Sequence, residues 1–305
     1  MSDRSKTPPR RPRSGPKGPK RGSKANHQTS TAKPGGPASH PSSAVRAVSP
    51  NHSRHKTGEG KGTTWFYGVH TVLAALNNPK RAVHRVIISH QAQASLRETL
   101  EATMAETDRD PESLESVDRA DFDRILPDSA VHQGIAALVS SLPGTPLEDL
   151  KPESDGKATR LLILDQANDP QNIGAVIRTA AAFGALAVIV PDKNTPPITP
   201  AMAKAASGGL ETVPLIRVTN LVRALYTLKD QGFWCIGLDA DGAEPLSTAM
   251  IEGACALVMG AEGKGLRRLT AQACDSLASI PISSVASLNV SVAAAIALYE
   301  SVRDS

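Results

Sequence analysis

The second half of the chain reads as an alternation. Short apolar runs at residues 161–165, 186–191, 213–218, 233–238, 256–259 and 277–282 have the length and composition of buried strands. Between and after them lie stretches of helical spacing at 172–183, 200–206, 220–231, 266–273 and 288–304. Strands separated by helices give a parallel sheet flanked by helices, so the pattern predicts an α/β fold over residues 161–305. Ahead of it, residues 63–141 read as a smaller α/β unit. There Trp65-Phe66-Tyr67-Gly68 leads into an apolar-periodic helix at 69–76, which Asn77-Asn78-Pro79 stops. A strand follows at 83–89, then a helix at 94–107 with Leu96, Leu100 and Met104 on one face. A short helix at 121–126 and a strand at 134–139 complete the unit.

Two segments carry no such pattern. Residues 1–62 are rich in Pro, Ser, Gly, Lys and Arg, and nearly free of large apolar side chains. Such a segment cannot bury enough surface to offset its ordering entropy, and a disordered basic tail is predicted. Residues 142–160 are a linker by composition, which would leave the parts on either side free to reorient.

Charge divides along the same boundary. The tail holds 14 Lys/Arg against two acids, Asp3 and Glu59, out of chain totals of 34 and 30. The net charge of +4 therefore hides a tail of +12 on a body of −8. An acidic body repels a polyanion on average, so any affinity for nucleic acid would have to come from local basic clusters, from the arrangement of an oligomer or from the tail. The tail itself reads either as a salt-sensitive nucleic-acid arm or as a solubilising extension. The chain's nine aromatics are too few for a base-stacking platform. His70, His84, His90 and His132 read as structural or surface histidines. The three cysteines, Cys235, Cys255 and Cys274, are odd in number and lack metal-ligand spacing. No apolar run suggests a secretory signal or approaches the roughly 18 residues of a membrane span. The expectation is a cytoplasmic protein with reduced thiols, no metal and no membrane association.

The chemistry is expected near the end of the chain. The run at 256–259 stops at a glycine loop, Gly260-Ala261-Glu262-Gly263-Lys264-Gly265, and the run at 277–282 stops at a Ser-rich loop at 283–287. Leu288-Asn289-Val290-Ser291 then opens an alanine-rich helix. Two strand-to-loop-to-helix passages close together present small residues and backbone N–H groups, a cradle for a small polar ligand. A dinucleotide fold would want its glycine fingerprint directly after the first strand, and a P-loop needs Ser or Thr after Gly-Lys. Here the glycine loop is late and Gly263-Lys264 is followed by Gly265, so both are set aside.

The sequences LVMGAEGKGL and IPISSVASLNVSVAAAIALYE resemble the second and third motifs of the SPOUT superfamily, in its SpoU/TrmH branch of RNA 2′-O-methyltransferases. The first motif of that branch, a strand followed by Asn and by Arg six residues later, is matched by residues 161–165, Asn172 and Arg178, with Phe183-Gly184 closing the helix. The resemblance covers about 140 residues in the right order. It implies a trefoil-knotted parallel-sheet catalytic domain at 161–305, S-adenosylmethionine as cofactor, and a homodimer acting on RNA. Periodicity shows no knot, and knots are rare. FYGVHTVLAAL and HQGIAALV in turn resemble the auxiliary substrate-binding domain of ribosomal-RNA guanosine 2′-O-methyltransferases in this branch, a domain similar to ribosomal proteins that bind kinked RNA. Ribosomal RNA, and a guanosine of the large-subunit RNA in particular, is thereby favoured over transfer RNA as substrate. A transfer-RNA methyltransferase and a non-catalytic RNA-binding assembly factor on the same fold are the alternatives.

The resemblance also assigns residues. Backbone groups at Gly260, Ile280 and Leu288 would contact the donor. Arg178 would activate the 2′-hydroxyl, with Asn172, Glu262, Ser287 and Asn289 beside it. Glu262 would pair with Arg178 or hold Asn172. From the residues alone each has a plainer reading: Arg178 a helix arginine on a solvated face, Glu262 an exposed loop acid, Asn172, Ser287 and Asn289 helix caps. An arginine is effectively always protonated, so Arg178 is expected to act as a fixed cation, from the same or a neighbouring subunit, and not as a literal base.

Overall fold

The computed structural model describes residues 62–153, 158–250 and 253–303. The expected tail, up to residue 61, lies outside them, as does the middle of the expected linker at 154–157.

The first part contains β1 (Thr63–Tyr67), α1 (Val69–Asn77), β2 (Val83–Ser89), α2 (Gln93–Glu106), β3 (Leu114–Val117), α3 (Arg119–Ile125) and β4 (Ile135–Ser140). Its sheet runs β1-β4-β2-β3, with β4 antiparallel to both neighbours and β3 parallel to β2. The Trp65-Phe66-Tyr67 run is thus a strand in its own right, its aromatic rings buried. Strand β3 was not anticipated, because Leu114-Glu115-Ser116-Val117 is half polar and edge strands carry little hydrophobic signal.

The second part contains β5 (Arg160–Leu164), α4 (Pro170–Ala182), β6 (Ala187–Pro191), α5 (Pro200–Ala206), β7 (Leu215–Val218), α6 (Leu221–Asp230), β8 (Trp234–Leu238), β9 (Glu244–Pro245), α7 (Leu246–Ala249), β10 (Cys255–Met259), α8 (Arg268–Ala273), β11 (Ser276–Ser279) and α9 (Val290–Val302). All seven strands are parallel in the order β7-β6-β5-β10-β8-β11-β9. Central strands β5, β6 and β10 are buried at every position, which is why their sequences are continuous apolar runs. Among the boundaries that shift, two lie beside the loops at the end of the chain. The last strand ends at Ser279, not at residue 282, with Pro281 just beyond, a residue that has no N–H to give a ladder. The last helix starts at Val290, because the Asn289 side chain caps it by accepting from Ser291 N at 2.9 Å.

Helix α9 packs back over α4 and β10 and is fastened at its far end as well. Arg160, at the start of β5, is buried and has no acidic partner among the described residues; its guanidinium donates to Ser301 O at 2.7 and 3.2 Å and to the carbonyls of Thr159 and Gly253. A cation against the last carbonyls of a helix is favoured by the helix dipole. Among the described residues these carbonyl contacts are what compensates the burial of its charge.

The linker composition led us to expect two parts free to reorient, and in the structure they are docked. One apolar core runs from Phe66, Val72 and Leu76 into Ile173, Met202 and Ala206. Across the joint Arg81 and Glu211 form an ion pair with side chains only 2% and 5% exposed, and Lys204 Nζ donates to Gln133 Oε1 at 2.5 Å.

Replacing Arg160 with Met is expected to leave the carbonyls of Ser301 and Gly253 without this donor, while Thr159 O keeps its bond from Cys255 N. Urea unfolding should show a loss of roughly 2–4 kcal/mol; an unchanged midpoint at unchanged slope would show that the C-terminal fastening carries no stability.

Candidate functional site

A cavity of about 300 Å³ opens where the parallel strands β8, β10 and β11 end. In open parallel sheets the carboxyl ends of strands are where ligands bind, because loops there leave the sheet in different directions. Its wall is contributed by Leu238–Asp241 after β8, Met259–Gly265 after β10, and Ile280, Ile282 and Ala286–Leu288 after β11, with Val290 and Ala293 of α9 closing one side.

The glycine loop is held in shape by its own backbone. Ala261 N donates to Gly265 O at 3.1 Å and Gly265 N to Ala261 O at 3.0 Å, while Gly263 and Gly265 take φ of +72° and +64°. Gly260 is needed for a different reason. A Cβ there would lie 2.2 Å from Gly265 C and 2.6 Å from Leu266 N, inside any real contact distance. The loop's far end is anchored by Asp165, whose buried carboxylate at the end of β5 accepts from Arg267 N at 3.1 Å and from the Arg267 guanidinium at 2.6 and 2.7 Å. Neither Asp165 nor Arg267 stood out in the sequence, since an acid ending a strand and an arginine opening a helix are common.

Of the eight residues singled out beforehand, five line this cavity: Gly260, Glu262, Ile280, Ser287 and Leu288. Asn172 and Asn289 do not line it but meet beside it, Asn289 Nδ2 donating to Asn172 Oδ1 at 3.1 Å. The Asn289 Oδ1 accepts in turn from Ser291 N and from Ser291 Oγ at 2.6 Å, so one amide caps α9 and joins it to the first turn of α4. Asn172 is not the cap of α4; Asp169 is, accepting from Gln171 N at 3.0 Å. Glu262 is exposed and forms neither of the two contacts weighed for it, with Arg178 or with Asn172, among the described residues.

Arg178 stands apart. Six residues along an α-helix separate it from Asn172 by about 9 Å of rise and about 120° of rotation. It is exposed and lies outside the cavity wall. With Gln171, Ala175 and Ala182 it forms the outward stripe of α4, Gln171, Arg178 and Ala182 being exposed and Ala175 half-buried. Beside that stripe α9 exposes Val292, Ile296 and Tyr299, spaced for one helix face, with the Tyr299 ring 6.4 Å from that of Phe183. Asp239 and Asp241, which line the cavity, were missed; the available signal was their position just after an apolar run in a parallel sheet.

The wall suits a cationic, partly apolar small molecule. Leu238, Met259, Ile280 and Leu288 offer apolar surface, and three acids, Asp239, Asp241 and Glu262, outnumber the one base, Lys264, in the lining. Among the described residues no cluster of His, Cys, Asp and Glu is placed to hold a metal ion, and no helix is long and apolar enough to cross a membrane. Burial pushes the thiols of Cys235 and Cys274 up to about 12 and that of Cys255 up to about 11, so all three stay protonated and inert near neutral pH.

Comparison with known proteins gives the same outline. The model described as "SpoU rRNA Methylase family" matches residues 159–299, and that described as "RNA 2′-O ribose methyltransferase substrate binding" matches residues 65–144. The 23S rRNA (guanosine-2′-O-)-methyltransferase RlmB of Vibrio vulnificus is 40% identical over 245 residues, covering 78% of this chain and 96% of that protein. The enzyme of the same name from Pseudomonas putida is 40% identical over 243 residues, 78% of this chain and 95% of its own. Among solved structures, a putative RNA methyltransferase of the TrmH family from Porphyromonas gingivalis superposes with a TM-score of 0.61 at 26% identity, over 80% of this chain and 91% of that one. The SpoU methyltransferase AviRb from Streptomyces viridochromogenes in complex with AdoMet superposes with a TM-score of 0.65 at 24% identity, over 80% and 90%, a likeness of fold.

Gly260→Ala tests the loop directly. The added methyl must displace the Gly265–Leu266 backbone, and calorimetry with S-adenosylmethionine should show affinity falling about tenfold or more, ~1.4 kcal/mol at least. Unaltered affinity in a folded variant would mean that this loop does not shape a donor site.

Proposed function

The chain belongs to the SpoU rRNA methylase family, and on that premise we propose that it transfers a methyl group from S-adenosylmethionine to the ribose 2′-hydroxyl of a guanosine in 23S ribosomal RNA. The observation that carries the reading is the joining of all three motifs at one place: the glycine loop and the Ser287–Leu288 loop on one cavity, and the Asn172–Asn289 hydrogen bond at its edge.

S-adenosylmethionine supplies an electrophilic methyl group on a cationic sulfur. The chain holds it through backbone groups at Gly260, Ile280 and Leu288, and the acids at the mouth of the cavity favour its charge. The Asn172–Asn289 pair fixes the floor on which the ribose lies. Arg178 stays protonated throughout; it orients the neighbouring phosphate and stabilises negative charge as the hydroxyl oxygen gives up its proton to solvent water. Alignment of hydroxyl and methyl group supplies much of the rate, since holding two reactants in line is worth several kcal/mol.

Arg178 reaches this site from a second copy of the chain. Within one protomer it projects from the outward stripe of α4, and the neighbouring apolar face of α9, Val292, Ile296 and Tyr299, is the kind of surface a homodimer covers. A two-fold contact over both helices brings each Arg178 toward the partner's cavity. The C-terminal segment completes a trefoil knot in this reading, supported by β10 lying between β5 and β8 and by α9 returning to α4 beyond the loop at 280–289. Residues 63–141 grip the RNA, residues 142–160 connect, and residues 161–305 do the chemistry. A ribosomal-RNA substrate puts the reaction in the cytoplasm, and the basic residues of the first 62 positions add affinity for the phosphate backbone.

Transfer of labelled methyl from S-adenosylmethionine to unmodified 23S RNA should leave the label in an alkali-resistant dinucleotide, as 2′-O-methylation requires. Arg178→Ala should bind the donor as before while its turnover falls about 100- to 1,000-fold. Label appearing on a base or only on transfer RNA, or heat from donor titration absent altogether, would overturn the assignment; full turnover in Arg178→Ala would remove that residue from the mechanism.

A further inference from the structure

The turn that follows α5 touches both the RNA-gripping part of the chain and the helix that carries Arg178. On one side stand Gly208 and Glu211. A Cβ at Gly208, whose φ is +95°, would lie 2.8 Å from Ala74 Cβ of α1. Glu211 is taken up by Arg81 of the loop between α1 and β2: Arg81 Nε donates to Oε1 at 3.1 Å and to Oε2 at 3.0 Å, and Nη2 donates to Oε1 at 2.7 Å. Asn78 Nδ2 adds a bond to Oε2 at 2.8 Å. Arg81 is itself fixed, its Nη1 on Ser140 O at 2.7 Å and its guanidinium 5.1 Å from the centre of the Phe66 ring. Arg109 braces the loop from behind, donating to the carbonyls of Leu76, Asn78 and Arg81 at 3.0–3.1 Å.

On the other side stands Gly209. A Cβ there would lie 2.9 Å from Ile177 O and 3.3 Å from Arg178 Cα, so this turn presses on the segment of α4 that holds the guanidinium. Three residues of chain, Gly209 to Glu211, therefore link an ion pair anchored in the first sheet to the backbone of Arg178.

We propose that Arg81 and Glu211 are positioning residues for methyl transfer: through the Gly208–Glu211 turn they fix Arg178 at a set distance from the sheet that grips the RNA. This rests on the reading of the preceding subsection. The chemistry supplies the reason. The ribose is presented by RNA held on the first part of the chain, whereas Arg178 acts from the second, so any slack between the two parts appears as misalignment of the guanidinium with the hydroxyl. A bidentate pair shielded from water resists such slack better than apolar contact alone, because its hydrogen bonds fix orientation as well as separation. A shift of about 1 Å in a reacting group lowers turnover on the order of 100-fold. The linker at 142–160 does not have to be rigid if this joint is.

The discriminating quantity is where the loss falls. A joint that only helps capture RNA would, when weakened, raise KM for RNA and spare kcat; one that sets Arg178 lowers kcat on RNA already bound. Steady-state methylation of a 23S RNA fragment by Glu211→Gln should show kcat down about 10- to 100-fold, with KM for RNA and calorimetric affinity for S-adenosylmethionine within about twofold of the parent chain. Asn78→Ala removes hydrogen bonds to Glu211 without leaving a buried charge unpaired, and provides the same test in a less perturbed fold: a smaller fall, again in kcat. A raised KM with kcat intact in either folded variant, or no kinetic change in Asn78→Ala, overturns the proposal. A parent chain that methylates no RNA would instead overturn the functional reading itself.

Discussion

The structure depends on the fastening of its last helix at both ends. At the N-terminus of α9 the amide of Asn289 divides its two functions, oxygen to the helix cap and nitrogen to Asn172 of α4. At the C-terminus the buried guanidinium of Arg160 holds Ser301 O. Neither bond is strong by itself, a net kcal/mol or so for a neutral hydrogen bond and somewhat more when one partner is charged. Their effect is geometric. With α9 held against α4 and β10, the loop at 280–289 has to lie over the ends of β8, β10 and β11, and the cavity exists only where that loop and the glycine loop face each other.

A division of labour follows. The cavity is made from loops whose shapes are set by local constraints: Gly260 under the Gly265–Leu266 crossing and Arg267 on the buried carboxylate of Asp165. Arg178 sits instead on a helix, where a side chain has a defined direction, and it is exposed. Acids outnumber the one lysine in the cavity lining, and Arg178 lies outside it on the exposed stripe of α4. A body whose net charge is −8 can thus handle a polyanion by confining its positive charge to specific places.

The parts of this arrangement that the sequence announced are those carried by long patterns. The alternation after residue 161 foretold the parallel sheet, since β5, β6 and β10 are buried on both faces and must be apolar throughout. The glycine and serine loops were visible because a ligand cradle needs small residues, and Gly260, Ile280, Ser287 and Leu288 do line one cavity. Hidden elements were short or polar: β3 with its Glu-Ser centre, and β9 with two residues. Asp239 and Asp241 were hidden because a loop acid looks the same whether or not a cavity lies behind it. The docking of the two parts could not be read at all. Arg81 and Glu211 are 130 residues apart, and nothing local marks either as buried. The linker's composition even argued the other way, because composition reports the stiffness of a tether and says nothing of surfaces that bind beyond it.

The central claim is that one protomer's loops hold the donor while the other's α4 supplies the guanidinium. Heterodimers isolated through two different tags, one protomer carrying Arg178→Ala and the other Gly260→Ala, test it most directly. With S-adenosylmethionine kept well below its dissociation constant, each variant alone is expected to be at least about tenfold impaired, whereas the mixed dimer retains one site with both an intact glycine loop and an intact arginine. It should recover about half of the activity of the unmodified dimer, one site of two. A mixed dimer no more active than its parents would contradict the account, because it would mean that loop and arginine must belong to the same chain.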